Sequence, residues 1–188
     1  MRRDEMEHIV RAAGTILNED HIIVVGSQAI LGVYPEDLPE EATISRELDL
    51  LPFDDPYERK ADLITGTLGE GSPFHHTFHV YADGVSKSTS RLPRGWEKRL
   101  VPVLTPATRG VTAYCLEPHD LLIAKYLANR EKDRRFCRAI IKAGLAKQDT
   151  LQSRLAETDC EPQERELVQA AIHMDFMVRE APNESAER

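Results

Sequence analysis

Apolar side chains at Met6, Ile9, Val10, Ala13, Ile16 and Leu17 recur at helical spacing and predict an amphipathic helix over residues 3–18, broken by Asn18-Glu19-Asp20. His21–Val25 is a short β-branched run and reads as a buried strand. It stops at Gly26-Ser27, and Gln28–Tyr34 begins a second helix. Pro35, Pro39 and several acids then form a loop. Residues 44–51 alternate apolar and polar near their end, as a half-buried strand does, and Pro52 stops them. Pro56 lies near the start of a helix running to about Leu68, closed by Gly69 and Gly71. Residues 77–83 read as a strand, followed by a turn-rich stretch with Gly84, Pro93 and Gly95. Leu100–Leu104 and Val111–Leu116 are two more strands. From Pro118 onward the pattern is helical, over about 119–129, 131–143, 148–157 and 162–180.

Strands first and helices last predict an α+β fold rather than a regular βαβ series. The expected organisation is an α/β core over residues 1–117, a helical region over 118–181 packed on it, and a disordered tail over 182–188. That tail, Pro182-Asn183-Glu184-Ser185-Ala186-Glu187-Arg188, has nothing to bury.

Composition changes this picture little. A chain of 188 residues with 41% hydrophobic and 30% charged residues has material for one core. A net charge of −8 disfavours extensive duplex binding, which needs a basic surface. Two local basic patches stand against it: Arg91, Arg94, Lys98 and Arg99, then Arg130, Lys132, Arg134, Arg135, Arg138 and Lys142. They can hold phosphates or serve as ordinary solvated faces. Cys115, Cys137 and Cys160 are odd in number and far apart, so neither a disulfide framework nor a zinc knuckle is indicated, and a cytoplasmic setting fits. The first residues carry two arginines with no apolar stretch behind them, unlike a signal peptide. The longest strongly apolar run, Ile22–Val25, is far too short to span a bilayer, so no membrane partner is expected.

Three groups of residues carry candidate chemistry. Gly26-Ser27 directly follows a strand. Glycine lets the backbone turn and approach a ligand closely, serine can cap the next helix, and a helix N-terminus suits a triphosphate. An ordinary strand–turn–helix joint is the alternative. Glu47-Leu48-Asp49 comes near the end of a strand, so its two carboxylates point to one side. They repel, which raises one pKa unless a cation intervenes. Mg²⁺ is commonly held by one or two carboxylates plus substrate phosphates. A solvent-facing edge strand is the alternative. Third, Lys125, Arg130 and Asp133 fall at roughly 0°, 140° and 80° on one helix, if it is unbroken. The two bases can grip phosphates while Asp133 orients Arg130. A plain i,i+3 surface salt bridge is the alternative.

These parts, in this order, resemble the nucleotidyltransferase-fold superfamily. Gly26-Ser27 followed by Glu47-Leu48-Asp49 looks like its Gly-Ser and D-x-D signature. Leu116-x-Pro118-x-Asp120-Leu121-Leu122-x-x-Lys125-x-x-Ala128-x-Arg130-x-Lys132-Asp133 looks like the second motif of the AbiEii-type toxin branch. The stretch from Phe74-His75 to Lys98-Arg99 looks like a group of small bacterial relatives, and the resemblance covers roughly 20–145. It implies a minimal nucleotidyltransferase fold, a short mixed sheet with flanking helices and a helical addition. It also implies Mg²⁺-dependent transfer of a nucleoside monophosphate from an NTP to an acceptor hydroxyl. In the toxin branch the acceptor can be tRNA, and the partner is often a protein antitoxin. By resemblance Gly26 and Ser27 cradle phosphate, Glu47 and Asp49 hold Mg²⁺, Lys125 and Arg130 contact the nucleotide, and Asp133 positions them. Two departures stand out: Glu47 replaces the usual aspartate, and the spacing from Ser27 to Glu47 is longer than in the toxin pattern. Both leave open a catalytically inactive relative that binds nucleotide or a protein.

A third carboxylate is expected on a nearby strand as general base or metal ligand. Asp83 is the candidate, with an Asp-Gly turn as its competing role. His75-His76-x-x-His79 suggests a metal site, but in a strand His76 faces away from the other two. Trp96, the single tryptophan, can stack a base or anchor its loop in a small core. Leu167, Ala170, Ala171, Met174 and Met177 share helical spacing and read as core or as a partner-binding face.

Overall fold

The computed structural model describes residues 1–180. The expected tail over 182–188 lies outside the described residues. Five strands form one mixed sheet in the order β3-β2-β1-β5-β4, with β1 His21–Val25, β2 Glu47–Leu51, β3 Tyr81–Gly84, β4 Val101–Val103 and β5 Thr112–Cys115. The central β1 runs antiparallel to β2, with Val25 opposite Asp49, and parallel to β5, with Ile23 opposite Tyr114. β2 and β3 are parallel, with Asp49 opposite Asp83. The helices are α1 Arg3–Leu17, α2 Glu40–Thr43, α3 Arg59–Leu68, α4 Pro73–Phe78, α5 Pro118–Ala128, α6 Glu131–Lys142, α7 Gln148–Ala156 and α8 Pro162–Glu180. This is the α+β architecture that the element order predicts.

Strand alternation separates two cores. Ile22, Val24, Leu48, Leu50, Ala82, Ala113 and Cys115 join Met6, Ile9 and Val10 of α1, Ile64 and Leu68 of α3, and the buried faces of α5 to α8 in one continuous cluster. Each fully buried aliphatic side chain there contributes about 1.5–3 kcal/mol. The opposite face carries only Ile23, Val25, Leu51 and Val85, roofed by Phe53, Trp96, Leu100 and Tyr114. Trp96 packs against both clusters and anchors its loop rather than presenting a free ring. Glu47, Asp49, Tyr81 and Asp83 share this thinly covered face by strand parity.

Several elements differ from the sequence expectation, each for a local reason. Residues 77–83 are not one strand. Ser72 Oγ accepts from His75 N–H, Pro73 takes the first helical position, and Phe74 and Phe78 meet one turn apart against His8, so α4 forms first. His79 then turns the chain at φ 60°, and β3 begins at Tyr81. His75, His76 and His79 consequently lie on a helix and its cap, and among the described residues they form no metal-binding group. Gln28–Tyr34 is replaced by a 3₁₀ helix, Ser27–Gly32. The loop after it contains the short α2, and β2 starts only at Glu47. α3 begins at Arg59, later than Pro56 suggests, and the Asp55 carboxylate accepts from Ala61 N–H at 2.9 Å. On α8 the core positions are Val168, Ile172 and Phe176, whereas Leu167, Met174 and Met177 are exposed. No helix of the described residues is long and apolar enough to cross a membrane.

Candidate functional site

β2 presents Glu47 and Asp49 two residues apart, and β3 places Asp83 directly across from Asp49. One carboxylate oxygen from each of the three lies within 4.8 Å of the others. Gly84 does not make a turn with Asp83. β3 runs through both residues, and a side chain at Gly84 would sit 2.1 Å from the Ala61 carbonyl, so glycine there lets α3 press onto the strand. That frees Asp83 to face its neighbours. Thr65 of α3 donates its hydroxyl hydrogen to Asp83 Oδ1 at 2.8 Å and steadies it. Nothing in the sequence marks Thr65 for this role, because it reaches Asp83 only through the packing of α3 on β3.

Gly26 closes the site from β1. It has φ 65° and ψ −170°, and a Cβ there would lie 1.7 Å from Asp49 Oδ2. The residue must be glycine both for its backbone and for the space that the Asp49 carboxylate occupies. Ser27 does not cap a following α-helix. It is the first residue of the 3₁₀ helix, Gly26 holds the cap position, and no side-chain cap bond forms. Gln28 is buried behind it and donates to the Ala42 carbonyl at 2.9 Å, tying α2 to the turn.

The acidic trio is electrostatically strained. Burial pushes the Asp49 carboxyl up to about 6, and the Glu47 and Asp83 charges add to this, against partial relief from Lys125 and Lys132. Such a group favours a proton or a cation beside it. Three carboxylates converging on one point are a hard-oxygen donor set that fits a divalent ion such as Mg²⁺.

Lys125, Arg130 and Asp133 do come together, although not on one helix. Asn129 turns at φ 52° and ends α5, Arg130 caps α6, and Asp133 sits in the first turn of α6. The fully buried Asp133 carboxylate accepts from Lys125 Nζ at 3.0 Å and from Arg130 Nε at 2.6 Å. Burial opposes its charge, but the Arg130 hydrogen bond and the Lys125 ammonium outweigh that and hold its pKa below the ordinary value. Lys125 also lies 4.7 Å above the Phe136 ring, which restricts its ammonium further.

The acids, Gly26-Ser27, Lys125 and Arg130 line one cavity of about 870 Å³, with Asp133 buried behind it. Glu47, Asp49 and Asp83 meet Gly26 and Ser27 along it, with Lys125, Arg130, Lys132 and Arg91 among its cations. Leu121, Ala124, Leu127 and Phe136 supply an apolar wall, and Ser88–Arg91 a polar one. The volume suits a nucleotide-sized ligand. The first basic patch of the sequence is divided by the fold. Arg91 lines this cavity, whereas Arg99 turns away to clasp the buried Asp120 at 2.8 and 3.0 Å. A second cavity of about 640 Å³, beside Glu19, His21 and Lys60, gathers none of the candidate residues.

A family described as "Nucleotidyltransferase of unknown function (DUF6036)" matches the chain over residues 4–177. No curated protein and no solved structure gives a match.

Proposed function

The chain belongs to that nucleotidyltransferase family, and from this premise we propose that it transfers a nucleoside monophosphate from an NTP to an acceptor hydroxyl with the help of Mg²⁺. The observation that carries the reading is the convergence of Glu47, Asp49 and Asp83 opposite Lys125, Arg130 and Lys132 in one nucleotide-sized cavity. Glu47, Asp49 and Asp83 are the residues that would hold the ion. When bound, it supplies charge neutralisation at the reacting phosphate. Lys125 and Arg130 bind the nucleotide's phosphates, and Asp133 keeps both bases extended toward the cavity. Gly26 and Ser27 bring the backbone close to the same phosphates. Asp83, with one oxygen already fixed by Thr65, orients the attacking hydroxyl. Catalysis of this kind rests on positioning and electrostatic stabilisation more than on covalent chemistry.

The finer assignment follows the AbiEii-like resemblance: a toxin-like enzyme of the cytoplasm, with tRNA as acceptor and a protein antitoxin as partner. Exposed Lys132 at the cavity, with Arg134, Arg135 and Arg138 also exposed on α6, suits a polyanionic acceptor. Glu47 favours a second reading, an inactive scaffold that binds nucleotide or protein, because its extra methylene displaces a carboxylate from the place an aspartate would give it.

Calorimetric titration of each NTP with Mg²⁺ separates the outcomes. The expected result is metal-dependent binding by wild type that is lost in Asp49→Ala. Transfer of label from an α-phosphate-labelled NTP to bulk tRNA then tests the acceptor. Folded wild type that binds no nucleotide would overturn the enzyme reading. Binding without transfer, restored by Glu47→Asp, would assign the inactivity to Glu47.

A further inference from the structure

The wall of the cavity beyond Asp83 is built from hydroxyls of the chain itself. Val85 is buried in the smaller core and donates its N–H to the Leu50 carbonyl at 2.8 Å. Six residues later, Arg91 grips Glu164 of α8 with two hydrogen bonds of 2.6 and 2.7 Å and donates to the Leu127 carbonyl at 3.3 Å. Both ends of the segment Ser86-Lys87-Ser88-Thr89-Ser90 are thereby held, and no apolar side chain lies between them to pack.

Ser88, Thr89 and Ser90 line the same cavity as Glu47, Asp49 and Asp83. The Ser88 hydroxyl meets only that of Ser86, at 2.8 Å, and among the described residues the Thr89 and Ser90 hydroxyls have no hydrogen-bond partner. The segment is held at both ends and sets its hydroxyl-bearing residues along the same cavity as the three acids. A hydroxyl confined beside a reacting centre competes at effective concentrations far above those of a dissolved acceptor.

We infer that this segment is an internal acceptor and that the chain nucleotidylates itself on Ser88, Thr89 or Ser90, an activity that rests on the nucleotidyltransferase reading above. The side-chain oxygen attacks the α-phosphorus of the NTP. The new bond is oxygen to α-phosphorus, the α,β-phosphoanhydride bond breaks, pyrophosphate leaves, and the hydroxyl proton passes to solvent. The product is a phosphodiester that places the nucleoside monophosphate on the cavity wall. Reaction stops at one transfer per chain, because the attached nucleotide occupies the space of the next NTP. The modification is therefore also a built-in brake on transfer to any external acceptor.

The test uses the full chain with Mg²⁺ and each NTP in turn. Cleavage after acidic residues releases the fragment Gly84–Glu97, whose mass is measured. Wild type is expected to gain one nucleoside monophosphate on this fragment, at a rate first-order in protein. The variant Ser88→Ala/Thr89→Val/Ser90→Ala is expected to lose labelling by at least about tenfold while its calorimetric affinity for NTP stays within about twofold. Ser88 and Thr89 are exposed and Ser90 is half-buried, so the variant is expected to keep its fold, which its melting curve reports. An unlabelled fragment in wild type that binds NTP would overturn self-modification and leave the transferase reading standing. Label that persists in the triple variant, or that falls on another segment, would overturn this assignment. Wild type that binds no NTP would overturn both.

Discussion

Two carboxylates withdrawn from water, the fully buried Asp120 and the half-buried Asp49, meet the same physical problem with different partners. Asp120 is fully buried at the start of α5, and burial raises its pKa, but two arginines from different parts of the chain oppose that shift, Arg99 at 2.8 Å and Arg154 at 3.1 Å. Glu157 balances the surplus positive charge at 3.9 and 3.6 Å. Asp49 is also withdrawn from water, but its nearest charged neighbours include two more carboxylates, and its pKa rises to about 6. The first arrangement ties the Trp96 loop to α5 and α7. The second stores unfavourable charge that only a proton or a cation relieves. Arginine partners leave Asp120 bound into the structure, whereas Asp49 keeps a surplus of negative charge beside a cavity.

The contrast breaks most visibly at Asp120. Asp120→Ala leaves two half-buried arginines facing each other and should destabilise the fold by about 3 kcal/mol. Urea unfolding monitored by circular dichroism measures it, and a loss near zero would show that Arg99 and Arg154 find other partners.

Asp49→Asn should act with the opposite sign. The folded pKa of Asp49 lies above its ordinary 3.8, so its favourable contribution is complete below about pH 4 and disappears as pH rises through about 6. In the presence of a chelator, Asp49→Asn is therefore expected to be more stable than wild type at about pH 8, by up to about 3 kcal/mol, and equal to it near pH 4. Melting curves of both proteins across this range decide the matter. A constant difference at all pH values would mean that the Asp49 charge is not strained.

The smallest of the three effects sharpens how the strain is built. Gly26→Ala forces a side chain into a φ of 65° and into the space of the Asp49 carboxylate. Destabilisation by about 1–2 kcal/mol is expected, together with at least about tenfold weaker Mg²⁺-dependent NTP binding. Unchanged binding would show that the trio tolerates displacement of Asp49.

Much of the frame was legible from pattern alone. The 3.6-residue spacing of α1 and the β-branched run of β1 each have one self-consistent reading, and Glu47 and Asp49 lie on one side of any strand that contains both. Other parts were not legible because the competing local signals were close to balanced. Phe74, Thr77 and Phe78 suit a strand by propensity, and only the Ser72 cap, Pro73 and the contact with His8 decide for a helix. The Asp83-Gly84 pair is spelled like a turn, yet α3 needs that glycine for close approach. The apolar stripe of α8 resembles a core face, but the bundle buries the neighbouring stripe of Val168, Ile172 and Phe176 instead.

The amino-acid order by itself determined the strongly periodic elements, the α+β class and the candidate groups, since these follow from side-chain period and from the residues available. Tertiary structure alone decided which charges meet. Lys125 reaches Asp133 because the chain bends at Asn129, Asp83 faces Asp49 because β3 lies parallel to β2, and Ser88–Ser90 overlook the acids because Val85 and Arg91 are anchored far apart in sequence. Electrostatic interaction depends on distance through space, and separation along a chain does not report that distance.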